Sequence, residues 1–207
     1  MSVYFSQPQL RSGYTTRPLS AVVSPVTTQE LADWLRLDDN TDPLLSPLLT
    51  AATSYVIERL QSELLNRDRV VVYQHWPMVG RMYTQLSQPD AMYENEIKLP
   101  YATLQSVTAV TIYGGVFTDY QIQQTTPATL YIDPLEVTDV SDPAIEVQYV
   151  AGYGDEAADV PEVIRIGVTM MAAYLYSHRG ACDAVTAFGN SGARELLTPY
   201  MNELVVF

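Results

Sequence analysis

Cysteine and histidine, which build most structural zinc sites and redox sites, are scarce in this sequence. Its 207 residues include one cysteine, Cys182, and two histidines, His75 and His178. A single cysteine excludes an intramolecular disulfide, and neither histidine has a Cys or Asp at ligand spacing. We therefore expect no metal site, no cofactor site and no structural disulfide.

Basic residues and long apolar runs are also lacking. Against 24 acidic residues stand 11 basic ones, a net charge of −13, which argues against a surface that wraps nucleic-acid phosphates. No apolar run approaches membrane-spanning length, and residues 1–24 lack the apolar core of a signal peptide. We expect a protein made in a cytoplasm, without a membrane segment and with a real hydrophobic core.

One acidic loop comes nearest to a metal-binding motif. Asp38, Asn40 and Asp42 alternate as in a calcium loop. However, Pro43 stands where the turn glycine belongs, and Leu49 stands where the bidentate glutamate belongs. The pattern predicts a solvated loop between two helices.

The catalytic motifs fail in similar ways. The Gly152-Tyr153-Gly154 stretch lacks the lysine of a P-loop and the third glycine of a dinucleotide fingerprint, so it predicts a turn leaving a strand. Cys182 follows His178 by four residues, but no oxyanion feature accompanies this pair. We expect no catalytic residues and no enzyme. A small hydrolase whose residues meet only in the fold is the remaining alternative.

The strongest helical pattern covers residues 160–179. Asp159 and Glu162 have the spacing of a capping box, and Gly180 predicts a left-handed stop. Apolar residues cover more than half of the helix circumference, which is typical of a central helix. They are Val160, Val163, Ile164, Gly167, Val168, Met170, Met171, Tyr174 and Leu175.

Three other helices are predicted. The first covers residues 27–37; it opens with a Thr27–Glu30 capping box and places Leu31, Trp34 and Leu35 on one face. The second covers residues 43–66, with Asp42 or Ser46 as its cap, and we expect it to pack against the central helix. A short helix over residues 193–198 follows a loop of small residues at 181–192.

Between the helices, the predicted β insert of residues 68–152 contains short stretches that alternate in hydrophobicity, as strands do, and a polar loop or irregular hairpin over residues 80–95. The predicted strands are 70–76, 96–99, 107–113, 120–123, 129–132 and 144–150. The fold class is therefore α+β: a small helical core, of two long helices plus short ones, with an inserted antiparallel β-rich region. Residues 26–200 form a single domain. Residues 1–25 are either a loosely ordered terminus or an extended arm on a neighbouring subunit, and residues 201–207 are an apolar tail.

Several phrases resemble one known family when they are taken in order. They are VTTQELADWLRLDDNTDP, LLSPLLTAATSYVIERL, LPYATLQSVTAVTIYGG, IEVQYVAGYGDEAADVPEVIRIGVTMMAAYLYSHRG and ELLTPY. Over residues 26–200 the chain is similar to the head–tail connector (adaptor) proteins of tailed bacteriophages. The resemblance implies a structural virion protein of the neck, without an active site. It implies a homo-oligomeric ring, dodecameric in this family, between the capsid portal and a stopper or tail-terminator protein. The genome DNA would pass through the ring without specific binding.

Two sets of residues are predicted to contact partners. The portal-docking set combines the resemblance with the apolar tail: Leu196, Leu197, Tyr200, Leu204, Val205, Val206 and Phe207. The alternative is that this tail folds back on its own helical core. The set for subunit or tail-side contacts consists of aromatic residues and methionines without an obvious partner: Tyr4, Phe5, Tyr14, Met82, Tyr83, Met92 and Tyr93. Another phage neck or tail-completion protein is the alternative function.

Overall fold

The structure is a computed structural model that describes residues 14–74, 96–101, 103–125, 127–132, 145–179 and 183–201. The helices are α1 (Thr28–Leu35), α2 (Leu45–Leu60), α3 (Glu162–Ser177), α4 (Ala184–Asn190) and α5 (Ala193–Leu197). The strands are β1 (Tyr14–Pro18), β2 (Arg67–Tyr73), β3 (Glu96–Leu99), β4 (Leu104–Ile112), β5 (Gly115–Val116), β6 (Gln121–Gln123), β7 (Ala128–Tyr131) and β8 (Ile145–Ala151). Short 3₁₀ turns cover Ala157–Asp159 and Thr198–Tyr200.

Helix α3 is the centre of the helical core. The helices α1, α2, α4 and α5 each pack against it. Leu60 of α2 and Ile164 and Met171 of α3 are fully buried in this core. Burying side chains of this size contributes about 1.5–3 kcal/mol each. The predicted central helix and its packing against α2 are confirmed.

The start of α3 differs from the prediction. Asp159 does not cap it: it ends the 3₁₀ turn, and its carboxylate accepts the Glu156 N–H at 3.0 Å. The residue before a proline is pushed out of the helical region, and Val160 is accordingly extended, with φ −79° and ψ 129°. The helix therefore begins only at Glu162, after Pro161, without a side-chain cap. Gly180, the predicted stop, lies outside the described residues.

Helix α2 is shorter than the predicted 43–66. It ends at Leu60 because Gln61 takes a left-handed conformation, with φ 49°. Leu64 is nevertheless fully buried in the helical core. The apolar stripe continued past the helix because the segment after it still packs on the same core.

The cap of α2 is also not the predicted one. Its N-cap residue is Leu44, without a side-chain bond, and Ser46 lies inside the helix. Asp42 acts one step earlier, where its carboxylate accepts the Leu44 N–H at 2.9 Å. By contrast, the predicted Thr27–Glu30 capping box of α1 is present.

Helix α4 was missed, since residues 181–192 were predicted to be a loop. Its N-cap is Asp183, which accepts the Thr186 N–H at 2.7 Å. Phe188 is buried, and its ring centroid lies 5.4 Å from that of Tyr55 on α2. The small residues of α4 show no apolar period, so contacts from distant parts of the chain hold it as a helix.

The predicted antiparallel strands form two sheets that share a second core, the sheet core. One sheet has the order β1-β2-β8-β4-β5 and the other the order β3-β7-β6, with all pairs antiparallel. Every second residue of β8 faces inward and is buried, as Ile145, Val147 and Tyr149 illustrate. The side chains of Leu130 and Ile97 meet them from the second sheet.

Strand β1 corrects the prediction for residues 1–25. It pairs with β2 from Tyr14 opposite Tyr73 to Pro18 opposite Arg69. Residues 14–18 thus belong to the chain's own sheet and form one of its edges. Residues 1–13 lie outside the described residues.

Candidate interaction surfaces

A buried ionic cluster joins the helical core to the sheet core. Glu63 follows α2 and Arg69 lies in β2; both are almost fully buried, and their side chains form an ion pair. Arg67 reaches the same carboxylate at 3.4 Å. A buried ion pair is favourable only when its partners are all in place, because desolvation of each charge is costly. We call Glu63, Arg67, Arg69 and Tyr101 the ionic joint.

Tyr101 completes the ionic joint. The Arg69 guanidinium lies 3.4 Å from the centre of its ring, and its hydroxyl donates to Glu58 Oε2 at 2.7 Å. Burial first, and then this hydrogen bond, raises the pKa of Tyr101 to about 12. The phenol therefore stays neutral and acts as a donor that ties the sheet side to α2.

The backbone at this joint is tightly crossed. Gly152 leaves β8 with φ 150°, and an added Cβ would stand 2.5 Å from Asn66 N. Its N–H donates to the Thr103 carbonyl at 3.0 Å, and Tyr153 N donates to the Leu64 carbonyl at 3.2 Å. The predicted turn at residues 152–154 is confirmed; it brings three chain segments together where the two cores meet.

The acidic loop connects α1 and α2, as predicted. Asp39 accepts the Thr41 hydroxyl at 2.6 Å and the Thr41 N–H at 3.0 Å. Asp42 accepts the Leu44 N–H and, at 2.7 Å, the Tyr176 hydroxyl. These bonds hold the pKa of both carboxyl groups below the usual value. The carboxylates serve to shape the loop and to fasten it to α3.

Of the Cys–His alternative, the structure describes only His178. The His178 ring stacks on Tyr174 with centroids 3.9 Å apart, and His178 Nδ1 lies 3.0 Å from the Tyr174 carbonyl oxygen. Cys182 lies outside the described residues. In the part of the chain that the structure describes, no three His, Cys, Asp or Glu side chains cluster as metal ligands. No helix there has both the length and the apolar character needed to cross a membrane.

The predicted portal-docking residues divide into three groups. Leu197 is fully buried in the chain's own core, where its Cδ1 would lie 2.8 Å from a Cβ added at Gly167. Leu196 and Tyr200 are half-buried, and Tyr200 packs against the helical core. Leu197 is therefore not a surface residue. Leu204, Val205, Val206 and Phe207 lie outside the described residues.

Of the residues predicted for subunit or tail-side contacts, only Tyr14 is described. It is half-buried, and its ring lies 5.2 Å from that of Tyr73 on the neighbouring strand. The others lie outside the described residues: Tyr4, Phe5, Met82, Tyr83, Met92 and Tyr93.

The structure also exposes large apolar side chains that the sequence analysis did not select. Trp34 is the clearest case, because it was predicted to share one face of α1 with Leu31 and Leu35 but is 52% exposed, whereas Leu31 is fully buried. At about 100° per residue, the buried face is centred between Leu31 and Ala32, and Trp34 turns away from it. A helical wheel shows this only once the burial of Ala32 is known. The remaining exposed side chains are Leu19, Val23, Leu44, Val116, Ile122 and Val185.

Chains from gene transfer agent (GTA) particles have a similar fold. A chain in the "Neck of empty GTA particle computed with C6 symmetry" matches with a TM-score of 0.61 and 17% identity, covering 86% of this chain and 94% of that one. A chain in the "Neck of native GTA particle computed with C12 symmetry" matches with a TM-score of 0.59 and 18% identity, covering 92% of this chain and 97% of that one. A chain in the "Virion of native gene transfer agent (GTA) particle" matches with a TM-score of 0.58 and 18% identity, covering 84% of this chain and 93% of that one. At this identity the likeness shows a common fold. No protein-family model and no curated protein sequence matches the chain.

Proposed function

We propose that this protein is a structural subunit of the neck that joins head to tail in a phage-like particle, and specifically its head–tail connector (adaptor). The observation that carries the proposal is the shared fold, which extends over both the helical core and the sheet core of chains from neck structures. The resemblance of residues 26–200 to connector proteins supports it from the sequence side. On this proposal the protein is located in the virion neck and is not an enzyme.

The proposed assembly is a homo-oligomeric ring of twelve copies. Two of the matched GTA neck structures were computed with sixfold and twelvefold symmetry. Repeating one heterologous contact around an axis closes a ring, so each subunit needs two different contact surfaces. The residues outside the described structure that were predicted for subunit contacts, such as Met82 and Tyr83, belong to this proposal.

The proposed partners of the ring are the portal protein on one side and a stopper or tail-terminator protein on the other. Because Leu197 is held in the helical core, we place portal docking in Leu196, Tyr200 and residues 202–207. The net charge of −13 supports a channel wall that repels DNA phosphates, so that the genome passes without binding.

Electron microscopy of the purified protein, alone and mixed with the portal protein of the same particle, tests the proposal. We expect closed rings that sit on the portal. Failure to form rings under both conditions, together with no binding to the portal, would overturn the connector assignment.

A truncation tests the docking segment separately. Deleting residues 202–207 should leave the melting temperature unchanged and abolish portal binding. A lowered melting temperature would place this segment in the chain's own core instead. Binding to a tail protein in a pull-down, with no binding to the portal, would favour another neck or tail-completion protein.

A further inference from the structure

Trp34 is a large aromatic side chain that stands exposed on α1 in the part of the chain that the structure describes. It is 52% exposed, and within the described residues its indole has no hydrogen bond, ring contact or cation partner. Tryptophan is the residue most enriched among the side chains that dominate binding energy at protein interfaces. An exposed tryptophan on a well-ordered helix is therefore a candidate anchor for a partner.

The helix that carries Trp34 is rigidly held. The capping box fixes its start, and Leu31 and Ala32 are fully buried against the helical core. Arg165 on α3 forms an ion pair with Glu30 and donates to the Pro25 carbonyl at 3.3 Å. Because the helix is ordered before any partner arrives, little conformational entropy remains to be lost on binding.

Several carboxylates lie close to Trp34 and to the end of α1 along the chain. The Arg36 N–H donates to the Ala32 and Asp33 carbonyls, and the Leu37 N–H donates to the Ala32 carbonyl at 2.9 Å. This tight turn brings Asp38 and Asp39, both exposed, directly after the helix end. Between residues 30 and 42 there are five acidic residues and one basic residue, Arg36.

This placement of acids is electrostatically unfavourable in the isolated chain. The C-terminal end of a helix carries partial negative charge, which favours cations there and disfavours carboxylates. The last turn of α1 contains no basic residue. A cationic partner would relieve this repulsion, so the charge pattern itself indicates which chemistry fits the surface.

We propose that Trp34, with the carboxylates of Asp33, Asp38 and Asp39, docks a basic surface of a different protein, in which Lys or Arg side chains surround an apolar pocket for the indole. A twofold contact between two copies of this chain does not fit, because it would set this acidic surface against itself. That this partner is another neck protein rests on the proposed function. The basic chemistry expected of the partner follows from the surface of this protein and does not depend on that function.

The test measures binding of the full-length protein to the purified portal protein and, separately, to the purified tail-side neck protein of the same particle. Trp34→Ala should weaken binding to one of them about thirtyfold, as expected for an interface anchor. Val185→Ala, which alters a side chain that is 70% exposed on α4, is the matched control and should stay within about twofold. The double variant Asp38→Asn, Asp39→Asn should slow association and flatten its dependence on salt.

Each other outcome decides against the inference. Equal binding by the Trp34→Ala and Val185→Ala proteins would overturn it while leaving the connector role intact. Loss of ring formation by the Trp34→Ala protein alone would make a second copy the occupant. If the wild-type protein binds neither partner, the inference and the proposed function fail together. Unchanged melting temperatures of all variants establish that they fold.

Discussion

The helical core and the sheet core are built by the same force but are joined by a different one. Each interior is apolar, with Leu60 and Met171 buried in the first and Leu130 and Val147 in the second. The ionic joint between them contains Glu63 and a buried arginine. Hydrophobic burial is non-directional, whereas ion pairs and hydrogen bonds depend on geometry. Burial therefore stabilises each core, while a few charged groups fix how the two cores are oriented.

The largest effect is expected at the ionic joint. Glu63→Ala leaves the Arg69 charge buried without its partner, and we expect a loss of about 3–5 kcal/mol in the free energy of unfolding. Glu162→Ala is the control, because its ion pair with Arg165 involves a carboxylate side chain that is 68% exposed. That control should lose at most about 1 kcal/mol. Denaturant unfolding measures both, and equal losses would refute the importance of the joint.

The next largest loss of stability is expected from variants in the interior of each core. Leu60→Ala in the helical core and Leu130→Ala in the sheet core each remove a fully buried side chain. We expect each to cost about 2–5 kcal/mol. If the joint couples the cores, both variants lower the midpoint of one shared unfolding transition. Two separate transitions, each shifted by only one variant, would show that the cores are independent.

Smaller changes in stability, of opposite sign, are expected at two helical glycines. A Cβ at Gly167 would meet Leu197 Cγ at 2.8 Å, so Gly167→Ala should destabilise the protein by about 1–3 kcal/mol. At Gly189 a Cβ has nothing within 4 Å. Gly189→Ala should therefore stabilise α4 by about 0.4–1 kcal/mol. Thermal unfolding of the two variants gives the signs, and matching signs would contradict the close packing of α5 on α3.

The smallest effect concerns pH. Bonds from Thr27 and the charge of Arg165 lower the pKa of Glu30 below 4.5. A lowered folded-state pKa adds stability above the unfolded value, and this stability is lost as pH falls through the folded value. The stability difference between wild type and Glu30→Gln should thus be below about 1 kcal/mol at pH 7, because the pair is partly exposed, and should vanish as the pH falls through the lowered folded-state pKa of Glu30. A difference that persists at low pH would exclude this explanation.

Four carboxyl groups with a lowered pKa belong to the helical part of the chain: Glu30, Asp39, Asp42 and Asp183. We therefore expect acid to weaken the helical core before the sheet core. Hydrogen exchange at pH 7 and at low pH, read separately for α1 and β8, measures the order. Earlier loss of protection in β8 would contradict the expectation that acid weakens the helical core first.

Features that depend on neighbouring residues could be predicted from the sequence alone. The Thr27–Glu30 capping box, the apolar face of α3 and the inward alternation of β8 are local periodic or spacing signals, and the structure contains all three. They could be read because each is set by backbone geometry over a few residues.

The other features depend on tertiary contacts between distant parts of the chain. Helix α4 forms because Phe188 meets Tyr55, and β1 forms because β2 offers it an edge. Trp34 is exposed because packing centres the buried face of α1 on its neighbours. The partner of Arg69 is Glu63, which lies six residues earlier but on the other side of the helix–sheet boundary. Each of these depends on which distant segments meet, and short-range spacing carries no information about that.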